Sequence, residues 1–247
     1  MKFIQVFDTD TKYKIYRNSI WYAKPNVSYS RDVKEVHYNY PPTFILNANG
    51  HEYVDLDLPS GTRWATMNVG ASKPSDYGKY FQWGDTQGYT KDQVGTGSGK
   101  KAFLETDYKW SINGSTSNFS KYTTSGATLE LADDAANANM GGDWHMPTPT
   151  QIQELINNTT STLTTQDGVN GRLFTSKKDS SKSIFIPAAD LAWDGAFSGS
   201  GDGGYVWSSM LGASSASNGQ YLYFYSSNVN LKELYRCNGC SVRGVLG

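Results

Sequence analysis

The sequence predicts a mixed α and β fold with two helices and many short strands. Apolar residues recur at helical spacing in only two stretches, "ATLELADDAANANMGG" and "PTPTQIQELINN". Elsewhere, short alternating or apolar stretches such as "KSIFIPAAD", "GGYVWSSM" and "QYLYFYSS" are separated by Gly, Asn and Ser, which is typical of strands. Helices and strands do not alternate in βαβ order, so a parallel α/β fold is not expected.

Both helix candidates carry boundary signals. The first ends at a Gly-Gly pair, which favours a stop. In the second, Thr148 or Thr150 can cap the helix, and Pro149 suits its first turn. An apolar stripe at i, i+3 and i+4 then predicts one buried helix face: Ile152, Leu155 and Ile156.

Two domains are expected. Residues 1–46 contain two strand-like stretches, "KFIQVF" and "KEVHYNY", and are too short to build much core. We interpret them as a small β-rich attachment module, closed by Pro41-Pro42. Residues 47–247 form the main domain. Within it, residues 85–125 are polar, which predicts a long excursion over the surface.

Charge and hydropathy exclude several classes of function. The formal net charge is -1, so the chain has no field suited to nucleic acid or to an anionic membrane. No window is apolar enough to cross a membrane, and "MKFIQVFDTD" lacks the apolar run of a signal peptide. We therefore expect no nucleic-acid binding and no membrane insertion. We also expect a protein made and kept in the cytoplasm, or leaving it by a route other than secretion.

No group of residues predicts an active site. Cys237 and Cys240 have C-x-x-C spacing, but a zinc site needs two more ligands and the three His are scattered singly. His145 has no nucleophile or carboxylate partner in the sequence. We expect no enzyme, no catalytic residue, no metal and no cofactor. Five tryptophans in one domain are more typical of a core than of a sugar site: Trp64, Trp83, Trp144, Trp193 and Trp207.

The stretch "YLYFYSSNVN" raises the question of binding. Strict alternation predicts a half-buried strand with Leu222 and Phe224 towards the core. Tyr221, Tyr223 and Tyr225 then share the outer face. Tyrosine is typical of binding surfaces, because it offers an apolar ring and a polar tip at low entropic cost. The alternative is that these tyrosines pack under the 85–125 excursion or against another subunit.

Several blocks, in order along residues 50–247, resemble one family, the major paralogous domain of gut Bacteroidetes. They are "YVDLDLPSGTRWATMNVGASKPSDYGKYFQWGDT", "GGDWHMPTPTQIQELI", "LTTQDGVNGRLFTSKKDSSKSIFIPAAD", "GGYVWSSM" and "NGCSVRGV". The resemblance implies a C-type-lectin-like fold, with two helices packed on twisted antiparallel strands. With the small β-rich N-terminal module, the fold class expected is α+β.

The sequence departs from the family in places. Gly244 and Leu231 stand where the family often has Pro. No glutamate-proline-asparagine motif is present, so calcium-dependent sugar binding is not carried over. Related formylglycine-generating enzymes use a cysteine pair. Here Cys237 and Cys240 fall in the surface-loop region of the closing motif. We therefore do not expect formylglycine-generating activity from this chain.

The C-terminal part is similar to the variable proteins of diversity-generating retroelements, in which adenine-directed mutagenesis rewrites chosen codons. The resemblance implies a variable region over about residues 205–240. Scaffold positions would be Leu222, Phe224, Val229, Arg236, Gly239, Ser241, Val242, Arg243 and Val245. Arg236 and Arg243 are expected to be structural. Ligand-binding positions would be Tyr221, Tyr223, Tyr225, Asn230, Lys232, Glu233, Leu234, Tyr235, Cys237 and Cys240.

The N-terminal stretch "KPNVSYSRDVKEVHYN" resembles short leader modules on structural proteins of phages that infect gut bacteria. Together these features predict a hypervariable receptor-binding or adhesion protein on a phage tail or fibre, assembled in the host cytoplasm. The expected ligand is a host-surface protein or glycan, and a homotrimer would add avidity. The alternatives are a bacterial lectin-like adhesin that is not diversified, an enzyme of the formylglycine-generating type, or a structural virion protein.

Overall fold

The computed structural model describes residues 45–247. Nearly all of the N-terminal module expected over residues 1–46, with its predicted strands and its phage-like stretch, lies outside the described residues. Neither helix in the described range combines the length and apolarity needed to span a membrane.

Strands dominate the described part of the chain. They are β1 Leu46–Ala48, β2 His51–Asp55, β3 Arg63–Asn68, β4 Tyr80–Phe81, β5 Thr159–Gln166, β6 Val169–Ser176, β7 Ser183–Pro187, β8 Ala192–Trp193, β9 Ala196–Phe197, β10 Gly203–Leu211, β11 Asn218–Tyr225, β12 Asn228–Tyr235, β13 Cys240–Ser241 and β14 Arg243–Leu246. They form four sheets with the orders β1-β2-β3-β14, β12-β11-β10-β13-β4, β5-β6-β7 and β8-β9. Two helices, α1 (Ala135–Met140) and α2 (Pro149–Asn158), lie between β4 and β5 in the chain.

The α+β prediction, with two helices packed on antiparallel strands in a C-type-lectin-like arrangement, is wrong. The structure of residues 45–247 is mainly β-sheet, and the ten-residue α2 is the only helix there longer than two turns. The α1 helix has six residues. The strands are also not all antiparallel, because β10 and β13 pair in parallel.

The first predicted helix fails because its N-terminal half pairs with a strand. The Leu129 N–H donates to the Ser209 carbonyl of β10 at 2.8 Å, which holds this stretch extended. A 3₁₀ turn over Leu131–Asp133 follows. Helix α1 then begins after Asp134, whose carboxylate caps it, and ends at Gly141 with a φ of 68°. Tertiary pairing therefore overrides a weak local preference for helix.

The second predicted helix forms, as α2. The Thr148 hydroxyl accepts a hydrogen bond from the Gln151 N–H at 3.2 Å, and Pro149 occupies the first turn. Ile152 and Leu155 are fully buried, and Ile156 packs beside them, so the apolar stripe faces the core as predicted.

The five-stranded sheet separates two cores, because successive side chains of a strand point to opposite faces. Val206, Leu222 and Phe224 enter one core, together with Ile152 of α2. Leu222 and Phe224 are therefore buried as predicted. The alternate residues of the same strands enter the other core, which is rich in tryptophan and includes Trp83, Trp110, Trp144 and Trp207.

A buried arginine joins three parts of this architecture. Arg243 on β14 is fully buried. Its guanidinium donates to the Asn68 side-chain oxygen at 2.9 Å and to the carbonyls of Ala65 and Phe185 at 3.0 Å. Burial lowers the pKa of Arg243 to about 9, because the charged guanidinium loses its hydration. The structural role predicted for Arg243 is confirmed.

We expect Arg243→Met to lower the free energy of unfolding by roughly 2–4 kcal/mol, because buried acceptors left without donors cost about 1–3 kcal/mol each. Relief of the cation's desolvation offsets part of that loss. Urea unfolding followed by tryptophan fluorescence measures the change. The control is Lys178→Met at an exposed position, where we expect a change within about 0.5 kcal/mol. An equally small change at Arg243 would contradict the role assigned to it.

Candidate binding face

Three neighbouring strands place the tyrosines together. Strands β11 and β12 form a hairpin in which Tyr223 lies opposite Asn230 and Tyr221 lies opposite Lys232. Strand β10 pairs on the other side of β11, with Tyr205 opposite Tyr223. Paired residues share a sheet face. We call this surface the tyrosine face, and its residues are Tyr205, Tyr221, Tyr223, Tyr225, Asn230 and Lys232.

Three rings of the tyrosine face, those of Tyr205, Tyr221 and Tyr223, contact one another in a continuous array. Tyr205 and Tyr221 are stacked, with centroids 5.5 Å apart and ring planes 15° apart. Tyr223 meets both of them edge to face, at 5.3 Å and 6.2 Å. Tyr221 in turn meets Trp207 edge to face at 6.0 Å. Such contacts add about 0.5–1.5 kcal/mol each beyond area burial, so the array is rigid and anchored in the tryptophan-rich core.

A lysine completes the outer end of the array. The Lys232 ammonium lies 4.0 Å from the centroid of the Tyr223 ring. At an exposed site this cation–π contact contributes about 0.5–1 kcal/mol. It also holds a positive charge at a fixed place beside Asn230, so the tyrosine face offers aromatic surface, an amide and one cation to a partner.

The exposed fraction of the tyrosine side chains increases along β11, from Tyr221 to Tyr225. Tyr221 is 6% exposed, whereas Tyr225 is 50% exposed. Tyr205 and Tyr223 are intermediate. Burial raises the pKa of Tyr221 and, by less, that of Tyr205. The expectation of three exposed tyrosines is therefore wrong for Tyr221, which is an anchor of the array.

The 85–125 segment covers the other half of the same sheet face. It was expected to be a polar surface excursion, but four of its aromatic residues are buried. Tyr108, Trp110 and Phe119 belong to the tryptophan-rich core together with Trp207 and Tyr221. Tyr221 is thus buried in the core to which this segment contributes, whereas Tyr225 stays half exposed. The four buried aromatics are Phe103, Tyr108, Trp110 and Phe119.

Arg236 fastens the 85–125 segment to the sheet. One terminal nitrogen donates to the carbonyls of Tyr122 at 2.8 Å and Ala216 at 3.1 Å, and the other donates to that of Lys121 at 3.0 Å. The guanidinium carbon lies 3.5 Å from the centroid of the Phe119 ring. Burial lowers the pKa of Arg236. Its predicted structural role is confirmed.

Both cysteines lie in the core. Cys240 is fully buried and Cys237 nearly so, and both are free thiols. Burial, with a smaller effect of the Glu105 charge, raises the pKa of the Cys237 thiol to about 12. Burial also raises the pKa of Cys240. Their expected place in a surface loop is wrong, and as buried side chains they do not belong to the exposed face.

The remaining predicted ligand-binding residues divide between the two sheet faces. Asn230 and Lys232 are exposed on the tyrosine face, and Leu234 on that face is partly buried against the tryptophan-rich core. Glu233 and Tyr235 project to the opposite side, because they pair with alternate residues of β11. The Glu233 carboxylate there accepts a hydrogen bond from the Ala213 N–H at 2.9 Å.

The sequence-based set omitted Tyr205, which is central to the array. A signal was available in "GGYVWSSM", because Tyr205 and Trp207 alternate with the buried Val206. The pairing of this strand beside β11 was not readable from the sequence, however. Strand order decides which alternating stretches share a surface.

The tyrosine face is separate from the groove that the structure shows elsewhere in residues 45–247. Within residues 45–247, no group of three His, Cys, Asp or Glu side chains is placed to hold a metal ion. A groove of about 570 Å³ is lined by residues such as Arg63, Trp144 and Leu246, and none of the tyrosine-face residues lines it.

No protein-family model, no curated protein and no solved structure matches this chain. The resemblance described above therefore depends on the quoted blocks of sequence alone. The function must be argued from the surface itself, and from the way the fold presents it.

We expect neither cysteine to react with Ellman's reagent in the native protein at pH 8. The thiolate is the reactive form, and a pKa of about 12 leaves on the order of 10⁻⁴ of Cys237 ionised. Both thiols should react in guanidinium chloride. A Ser214→Cys variant, at an exposed position, is the positive control. Rapid reaction of a native thiol in the unsubstituted protein would contradict the burial described here.

Proposed function

We propose that this protein binds a ligand through the tyrosine face and is not an enzyme. One observation carries the proposal: a single sheet face is divided into a half covered by the 85–125 segment and a half left open. The open half carries the outer tyrosines, with Tyr225 half exposed and Lys232 held over the Tyr223 ring.

The open half has the physical properties of a binding surface. The rings of Tyr205 and Tyr223 are held in place by contacts with each other and with Tyr221, so ordering these two rings costs a ligand little entropy. Tyrosine is one of the residues enriched at the energetic centres of interfaces. The surface is open rather than pocketed, which favours a large ligand over a small molecule.

We further propose that the surface is hypervariable and diversified by a retroelement. The alternation of buried and exposed side chains supports this, because Tyr223, Tyr225, Asn230 and Lys232 can change without altering Leu222 or Phe224 in the core. The proposed variable set is therefore smaller than the predicted one, because it omits residues that are buried or lie off the tyrosine face. Tyr221, Cys237 and Cys240 are buried. Leu234 packs against the tryptophan-rich core, and Glu233 and Tyr235 project from the opposite sheet face.

The ligand we propose is a host-surface protein or glycan, and the place of display is a phage tail or fibre. The support is the resemblance of the N-terminal stretch to phage leader modules and of the C-terminal region to retroelement variable proteins. Display in several copies would convert weak single contacts into stable attachment.

The proposal predicts binding to intact bacterial cells. Fluorescently labelled protein should stain at least one isolate in a panel of gut Bacteroidetes, as measured by flow cytometry. Combined Tyr223→Ala and Tyr225→Ala should weaken that staining at least about tenfold, because truncating central aromatic contacts costs about 2 kcal/mol or more.

Tyr235→Ala is the matched comparison for this test. Tyr235 is 51% exposed, like Tyr225, but projects from the opposite sheet face. We expect staining by this variant to stay within about twofold of the unsubstituted protein, since it removes a similar side chain from outside the tyrosine face. Equal losses from both variants, or staining of no isolate, would contradict the proposal.

A further inference from the structure

The longest uncharged strand edge in the described residues belongs to β5. The strand runs over eight residues, Thr159–Gln166, and pairs only with β6 in the three-stranded sheet β5-β6-β7. Among residues 45–247, the free side is engaged by another backbone group only at its first residue, where the Thr159 N–H donates to the Leu155 carbonyl of α2, and it is open from Thr160 to Gln166. An unpaired strand edge presents a row of N–H and C=O groups that can pair with another strand.

The hairpin geometry identifies which groups point outwards. Gln166 pairs with Val169 across a two-residue loop, Asp167-Gly168, in which both residues have positive φ. The pair that closes such a loop is hydrogen-bonded, and hydrogen-bonded pairs alternate with non-bonded ones along the ladder. Residues 160, 162 and 164 therefore bond to β6. Ser161, Leu163 and Thr165 direct their backbone groups to the free side.

The strand lacks the usual protection of an edge. Its sequence, TTSTLTTQ, has no charged residue and no proline, and five of its eight residues are threonine. Leu163 is 50% exposed at its centre. Natural edges are usually blocked by lysine, proline or a bulge. The edge strand β12 carries Lys232 and Glu233, and its Leu231 packs in the core that contains α2.

The edge is also fixed in position. The Arg172 guanidinium of β6 donates to the Ser161 hydroxyl at 2.9 Å and to the Ser226 carbonyl in the β11–β12 turn at 2.7 Å. Strand β5 is therefore held against its own sheet and, through Arg172, against the five-stranded sheet. An ordered edge loses less entropy on pairing than a mobile one.

We propose that β5 is a self-association edge, on which β5 of a second copy of this chain pairs antiparallel about a two-fold axis. The two three-stranded sheets would become one six-stranded sheet. In the symmetric register, Leu163 lies opposite the second copy's Leu163, and Ser161 lies opposite the second copy's Thr165. On the other face, Thr162 lies opposite the second copy's Thr164.

A second copy fits this edge better than a charged partner does. In an antiparallel self-pair, a charged residue near the axis would face its own charge, which destabilises pairing. The β5 strand has no such residue and offers only threonine, serine and leucine pairs, which are favourable across strands. It also offers no charge with which a charged peptide could pair. An isologous contact closes after two copies, so this edge produces a dimer and not the homotrimer expected from the sequence.

This inference goes beyond ligand binding and uses different residues. The strand pair alone buries less than the roughly 1,600 Å² of a standard interface, so we expect reversible dimerisation in the micromolar range or weaker. Two tyrosine faces on one dimer would raise the avidity for a repeating surface.

The test is disulfide trapping of the full chain. Residues of a hydrogen-bonded antiparallel pair have Cα atoms about 5.5 Å apart, which suits a disulfide. Leu163→Cys should therefore form a covalent dimer as the main product under mild oxidation. Thr162→Cys is the matched control, because its diagonal distance to its own copy, about 7–8 Å, exceeds what a disulfide spans. It should give less than a tenth as much dimer.

Sedimentation of the unsubstituted chain completes the test. We expect a concentration-dependent dimer that Leu163→Lys abolishes, while circular dichroism shows that the variant stays folded. A monomer at the highest soluble concentration would overturn the inference. So would a trimer, a dimer unaffected by Leu163→Lys, or equal trapping at positions 162 and 163. The cell-staining comparison above is independent of all these outcomes.

Discussion

The division of one sheet face depends on a single buried cation. Arg236 lies at the end of β12 and donates to carbonyls of the 85–125 segment and of the loop before β11, while its guanidinium packs on Phe119. Its own carbonyl accepts from the Trp83 N–H at 2.9 Å. These contacts hold the aromatic residues of that segment over one half of the sheet. The other half is left for the tyrosine face.

Tyrosine side chains of the open half are held in place by contacts with buried side chains of the covered half. Trp207 donates its ring N–H to the Phe81 carbonyl at 2.7 Å, and Trp83 donates to the Ser208 carbonyl at 2.9 Å, so the two tryptophans tie β4 and β10 together. Tyr221 packs on Trp207, and Tyr205 and Tyr223 pack on Tyr221. Side chains at the surface can therefore differ while the anchors beneath them stay in place.

Local patterns in the sequence predicted local features of the structure. The capping residues and the apolar stripe of α2 were readable, as was the burial of Leu222 and Phe224, because each depends on near neighbours in the chain. The first helix candidate failed because Leu129 pairs with a strand that lies far away in sequence. No local pattern contains that pairing.

The candidate site was predictable only in part, for the same reason. Alternation along β11 gave the correct face for Tyr223 and Tyr225, but it could not reveal that Tyr221 is buried in the tryptophan-rich core, to which the 85–125 segment contributes. The family resemblance placed Cys237 and Cys240 in a surface loop. Their burial follows instead from the contact of Arg236 with that same segment and from the pairing of β13 with β4 and β10.

The central claim, that an open half-face is varied on a fixed scaffold, is tested most directly by the DNA around the gene. The account predicts a near-copy of the segment encoding residues 205–247 beside a reverse-transcriptase gene. The two copies should differ at adenines in the codons for Tyr223, Tyr225, Asn230 and Lys232, and agree at those for Trp207, Leu222 and Phe224. The absence of a second copy, or differences scattered over the core codons, would contradict it.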